Sequence, residues 1–181
     1  MNPSRKPVLF LALGIVVALV TLLLITSSSQ RKKEEERIPA DRRAFTTLSV
    51  VASKNQVTVG EQFTIEVRIA SGENRINGVQ LELQYDPTVI AIENVSEGDF
   101  LPKPILLNNA NNKAEGFILF ALGSIDGKKG NGAVAKLTAR AQKRTRGQTE
   151  LLTIRPTSLI TEFDNKNSVL KEVKGATIVI R

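Results

Sequence analysis

The chain has 181 residues and a formal net charge of +7, and it contains neither Cys nor His. That composition excludes a disulfide framework, a thiolate metal site and a cysteine nucleophile, together with the side chain that most often serves as general acid–base or zinc ligand. The charge does not mark a nucleic-acid partner: residues 1–43 carry eight Lys/Arg against four acids, leaving an ordinary 17 against 14 for the rest.

In chain order, a short head (residues 1–7, with Arg5 and Lys6) precedes Val8–Thr26, VLFLALGIVVALVTLLLIT, 19 residues without a charge. As a helix this run covers roughly 28 Å, close to the hydrocarbon thickness of a bilayer, and a helix satisfies its own backbone hydrogen bonds there. The reading taken is a retained transmembrane anchor. A cleaved signal peptide is the alternative, because Ser27-Ser28-Ser29 offers small residues to a peptidase. Charge alone leaves orientation open: six Lys/Arg follow the run within about 20 residues, which by the positive-inside rule favours a cytoplasmic domain. A short charged head before an apolar run is instead how an export signal begins, and an extracellular C-terminal domain is expected. Residues 27–46 form a charged linker with little that could enter a core, and Pro39 ends any helix that continues outward.

From residue 47 to 181 the apolar period becomes two. Phe63, Ile65, Val67 and Ile69 alternate with Gln62, Thr64, Glu66 and Arg68; Val79, Leu81, Leu83 and Tyr85 alternate with Gln80, Glu82 and Gln84. Such alternation puts one face in a core and the other in water. Further strands are expected at Leu48–Ala52, Val89–Val95, Ile105–Leu107, Phe117–Leu122, Ala133–Ala141, Glu150–Ile154, Ser158–Phe163 and Ala176–Ile180. Turn chemistry separates them, including Asn77-Gly78, Asp86-Pro87, Asn108–Asn112 and the glycine-rich Gly127–Gly132, read as a flexible connection. The pattern predicts an all-β, antiparallel sandwich of about nine strands.

Two segments carry a family resemblance: Val57-Thr58-Val59-Gly60-Glu61-Gln62-Phe63-Thr64-Ile65-Glu66-Val67, and Gly78-Val79-Gln80-Leu81-Glu82-Leu83-Gln84-Tyr85-Asp86-Pro87-Thr88-Val89-Ile90. Together they resemble the opening of a cohesin domain. The likeness continues through Val95–Phe100, Phe117–Leu122, Gly132–Ala139 and Gly175–Ile180. It implies a nine-stranded jelly-roll sandwich that binds a dockerin-like module, with any calcium held by that partner and no cofactor of its own. It implies in turn that polysaccharide-degrading enzymes are tethered through the partner. The sequence departs from the family where cohesins present polar groups: the matching positions are Gly78 and Gln80, and a later acidic position is Leu122.

Phe117–Leu122 is apolar throughout, whereas only one face of a sandwich strand meets the core. With the phase implied by the resemblance, Ile118, Phe120 and Leu122 point outward as a docking stripe, and Gln80, Glu82 and Gln84 form its polar rim. A covering loop at Lys103–Asn112 is the alternative. Tyr85 is expected in the core, and Asp86 is expected to cap its own turn. Gly127–Gly132 lacks the frame of a phosphate loop. Asp99, Asp126 and Asp164 lie in turns without the spacing of a dedicated calcium loop. Lys143, Arg144 and Arg146 read as a solvated turn. No motif for an enzyme is present. Direct carbohydrate binding or a structural surface role is the alternative function, weakened by the absence of Trp and a single Tyr.

Overall fold

The computed structural model describes residues 44–163, 165 and 167–181. The expected anchor at 8–26, the linker up to residue 43, and Asp164 lie outside the described residues. Among the described residues no helix is long and apolar enough to cross a membrane.

The described chain is all-β. One sheet joins β12 (Leu170–Lys174), β1 (Thr46–Ala52), β3 (Gln62–Ala70), β8 (Asn131–Ala141) and β5 (Ile90–Glu97), in that order. The second joins β10 (Thr153–Ile154), β4 (Ile76–Gln84), β7 (Phe117–Lys128) and β6 (Ile105–Asn112), and β11 (Leu159–Glu162) also pairs with β4. A small third sheet groups β2 (Gln56–Val57), β13 (Thr177–Ile180) and β9 (Thr149–Glu150).

The alternation in β3 and β4 does what period two requires. Phe63, Ile65, Val67 and Ile69 enter the core from the first sheet, and Val79, Leu81 and Leu83 enter it from the second. Phe100 and Phe120, the two bulkiest fully buried side chains, fill the space between. Tyr85 is buried as expected, and its hydroxyl donates to Asn111 Oδ1 at 3.2 Å. Asp86 caps its turn: its carboxylate accepts the Thr88 N–H at 2.8 Å and the Thr88 hydroxyl at 2.7 Å, which holds its pKa below the usual value.

Four expectations need correction. The pairing is not antiparallel throughout, because β1–β12 and β2–β13 are parallel. Asn108–Asn112 is not a turn but the second half of β6. Gly127–Gly132 is not a loose connection but the tight hairpin between β7 and β8. The fourth concerns the docking stripe. Ile118 and Phe120 are 0 % exposed and Leu122 is 2 % exposed. Directly opposed residues of an antiparallel pair share a face, and these three stand opposite Leu83, Leu81 and Val79. They are core, and the phase of β7 is the reverse of the one expected.

Candidate binding face

With the phase corrected, β7 presents Phe117, Leu119 and Ala121 on the outer surface of the second sheet, opposite Gln84, Glu82 and Gln80 of β4. On the other side, β6 places Asn112, Ala110 and Asn108 against the same three residues. β11 adds Leu159 beside Gln80 and Thr161 beside Gly78. The result is a sheet face with an apolar centre (exposed Ala110 and Leu159, half-buried Leu119 and the buried Ala121) flanked by amides, the ordinary anatomy of a protein interface.

The expected rim residues do face outward. Gln84 Nε2 donates to the Glu115 and Gly116 carbonyls at 2.8 and 3.2 Å. Glu82 Oε2 accepts the Thr157 hydroxyl at 2.6 Å. Gln80 has no side-chain partner among the described residues, so its amide is available to a ligand. Gly78 and Gly123 lie directly opposite each other at one end of the face. Thr161 Oγ1 closes over Gly78, and Leu107 leans over Gly123. Leu107 is 66 % exposed, and Ile105 beside Gly123 is half exposed. At the opposite end the Arg155 guanidinium sits 5.6 Å from the centroid of Phe117 and shields that ring. The structure therefore adds Leu119, Ala121, Leu159, Leu107 and Ile105 to the face. The sequence held no signal for Leu119, because both phases of Phe117–Leu122 are apolar and only the pairing with β4 decides between them.

Nothing in this face resembles a catalytic or metal centre. No cluster of three or more potential metal ligands occurs among the described residues. Asp99 accepts the Ala133 N–H at 2.9 Å, a structural bond that lowers its pKa. Lys143, Arg144 and Arg146 lie on the exposed connection between β8 and β9.

Behind the face, β6 is stitched to the other sheet by side chains rather than by a ladder. Asn109 Nδ2 donates to the Val95 carbonyl at 3.0 Å and Asn111 Nδ2 to the Ile92 carbonyl at 3.2 Å, both on β5. β5 is the edge of its own sheet, and these amides occupy carbonyls that would otherwise be open to strand addition.

The family model of the cohesin domain matches residues 48–179. The chain belongs to the cohesin family. Solved cohesins share its fold. A type II cohesin from Bacteroides cellulosolvens superposes with a TM-score of 0.63 at 15% identity, covering 75% of this chain and 99% of that one. The cohesin of a type II cohesin–X–dockerin complex from Acetivibrio cellulolyticus gives 0.62 at 16% identity, covering 75% and 99%. A non-cellulosomal cohesin from the hyperthermophilic archaeon Archaeoglobus fulgidus gives 0.58 at 21% identity, covering 75% and 91%. No functionally curated protein sequence matches the chain. At these identities the solved structures speak for the cohesin fold alone.

Proposed function

We propose that this cohesin is a non-catalytic docking module whose outer β11–β4–β7–β6 face receives a dockerin-like module. The observation that carries the reading is the outward-facing row Leu159–Gln80–Ala121–Asn108 beside Glu82–Leu119–Ala110, apolar at its centre and amide-rich at its edges, with Leu159, Asn108 and Ala110 exposed and Gln80, Glu82 and Leu119 half-buried. Family membership supports it, as do the similar cohesins solved in complex with dockerins. The small, exposed Ala110 side chain lets a partner approach the sheet closely, and Leu119 beside it supplies the central apolar contact. Any calcium belongs to the partner. In this reading residues 8–26 form a transmembrane helix, the domain is extracellular, and the partner brings polysaccharide-degrading enzymes to the cell surface.

The test is titration of residues 44–181 with a panel of calcium-loaded dockerin modules, repeated after chelation of calcium. Calcium-dependent binding of at least one module supports the reading. Failure of every module, together with retention of the domain on insoluble polysaccharide, would replace it with carbohydrate binding.

A further inference from the structure

Asn-Gly occurs twice in the chain, at Asn77-Gly78 and at Asn131-Gly132. In this dipeptide the asparagine side chain is open to attack by the following backbone nitrogen, because glycine puts no Cβ in the way. The fold gives the two copies opposite surroundings. Asn77 is half-buried in β4, which at this point pairs with β7 on one side and β11 on the other. Its Oδ1 accepts the Thr161 hydroxyl at 3.2 Å, and that hydroxyl also closes over Gly78. Asn131 is exposed and opens β8, directly after Gly130, whose φ is +115° with open space around it. Here β8 pairs with β3 alone, and Ala70↔Asn131 is the last pair of that ladder; pairing with β5 begins only at Ala135. Among the described residues no side-chain hydrogen bond holds the Asn131 amide. The end of a ladder frays at little cost, whereas an interior strand opens only when much of the domain does.

We propose that Asn131 is a site of spontaneous modification, converting to isoaspartate as the folded protein ages, while Asn77 in the same dipeptide is spared. When the end of the ladder frays, the Gly132 nitrogen attacks Cγ of Asn131. The N–Cγ bond forms, the Cγ–Nδ2 bond breaks, and ammonia leaves with the proton of the Gly132 amide. Water then opens the cyclic imide and returns a proton to the Gly132 nitrogen. Opening at Cγ gives Asp; opening at the backbone carbonyl carbon gives isoaspartate, whose main chain runs through the former side chain and is one carbon longer. Gly132 has no slack to absorb that carbon. A Cβ placed on it would stand 3.1 Å from Cα and Cβ of Phe100 and 3.3 Å from Asp99 Oδ1. The next residue, Ala133, donates its N–H to the same Asp99 at 2.9 Å. The modification therefore loosens the Asp99–Ala133 bond and the seat of the buried Phe100, and it adds a carboxylate at the turn. The docking face lies on the other sheet, so the inference is independent of it.

The test ages the full chain in mild detergent at neutral pH, once folded and once in urea. Peptides containing positions 77 and 131 are followed by mass spectrometry, and isoaspartate is scored by enzymatic methylation of its carboxylate. In the folded chain position 131 should convert at least about tenfold faster than position 77, as a cheap opening against a costly one requires. In urea the two rates should converge. A folded chain in which position 131 converts no faster than position 77, or stays unmodified while the chain in urea reacts, overturns the proposal. So does the same excess of position 131 over 77 in urea, because the local sequence and not the fold would then set the rate. Ageing should also lower the melting temperature of the parent and leave that of Asn131→Gln unchanged, since the longer side chain closes the ring slowly. Conversion at position 131 without any fall in the parent's melting temperature would refute the loosening at Phe100.

Discussion

Leu119 of β7 stands directly opposite Glu82 of β4 on the outer face of the sheet, while its chain neighbour Phe120 stands opposite Leu81 inside it. One step along the strand separates a residue available to a partner from one that holds the two sheets together. Truncating Phe120 to Ala should cost about 3–5 kcal/mol, and Phe120→Asp should leave the domain unfolded. Leu119→Asp should change stability by no more than about 1 kcal/mol. Urea denaturation of the three variants checks this; equal destabilisation by Leu119→Asp would mean that the face is sealed rather than open.

The asparagine seam between β6 and β5 has its own signature. Asn111→Ala removes the donor to the Ile92 carbonyl and strands the buried Tyr85 hydroxyl, which should cost about 1–3 kcal/mol. Adding Tyr85→Phe should then cost less than it does in the parent, because the hydroxyl has already lost its acceptor. A double-mutant cycle by chemical denaturation measures the difference. Strict additivity would show that the Tyr85–Asn111 bond contributes nothing.

Two glycines should respond differently to alanine. At Gly98 a methyl group would overlap the backbone carbonyl of Ala133, so Gly98→Ala should force the β5–β8 edge apart and lower the melting temperature steeply. Gly60 has φ +88° with open space around it. Gly60→Ala should therefore cost only the backbone conformation, about 1–2 kcal/mol. Thermal melts of the pair distinguish collision from conformation, and equal effects would contradict the packing at Gly98.

Acid should weaken the domain in a defined window. The Lys54 ammonium and the Thr58 N–H and hydroxyl hold Glu61 from its ordinary 4.5 down to about 2. Between those values the unfolded chain binds more protons than the folded one, so stability is complete above pH 4.5 and falls as pH drops toward 2. Asp86, Glu93 and Asp99 are shifted in the same direction. Glu61→Gln should flatten part of this slope, as read from urea midpoints across the range; an unchanged slope would remove Glu61 from the account. With no His in the chain, no side chain with an ordinary pKa near 6.5 adds a transition at neutral pH.

Much of this was legible in the sequence, for physical reasons that also explain what was not. β3 and β4 alternate strictly, so their inward faces and the outward Gln80, Glu82 and Gln84 follow from period two. In Phe117–Leu122 both phases are apolar, so periodicity is silent there and only the register against β4 decides. The second half of β6 was hidden because its outward Asn108 and Asn112 and its seam residues Asn109 and Asn111 are all polar, as a turn would be, while the apolar Ile105–Leu107 marked its start. β12 was hidden because Leu170–Lys174 is a charged edge strand with a mostly exposed surface, recruited by parallel pairing with β1 rather than by its own pattern.

The most direct test of the docking account is the affinity of residues 44–181 for a calcium-loaded dockerin module, measured for the parent and for Leu119→Asp with folding verified by thermal melts. The account predicts that the variant melts like the parent and binds at least about 30-fold more weakly, the loss expected for a central interface residue. Undiminished binding by the folded variant would contradict it.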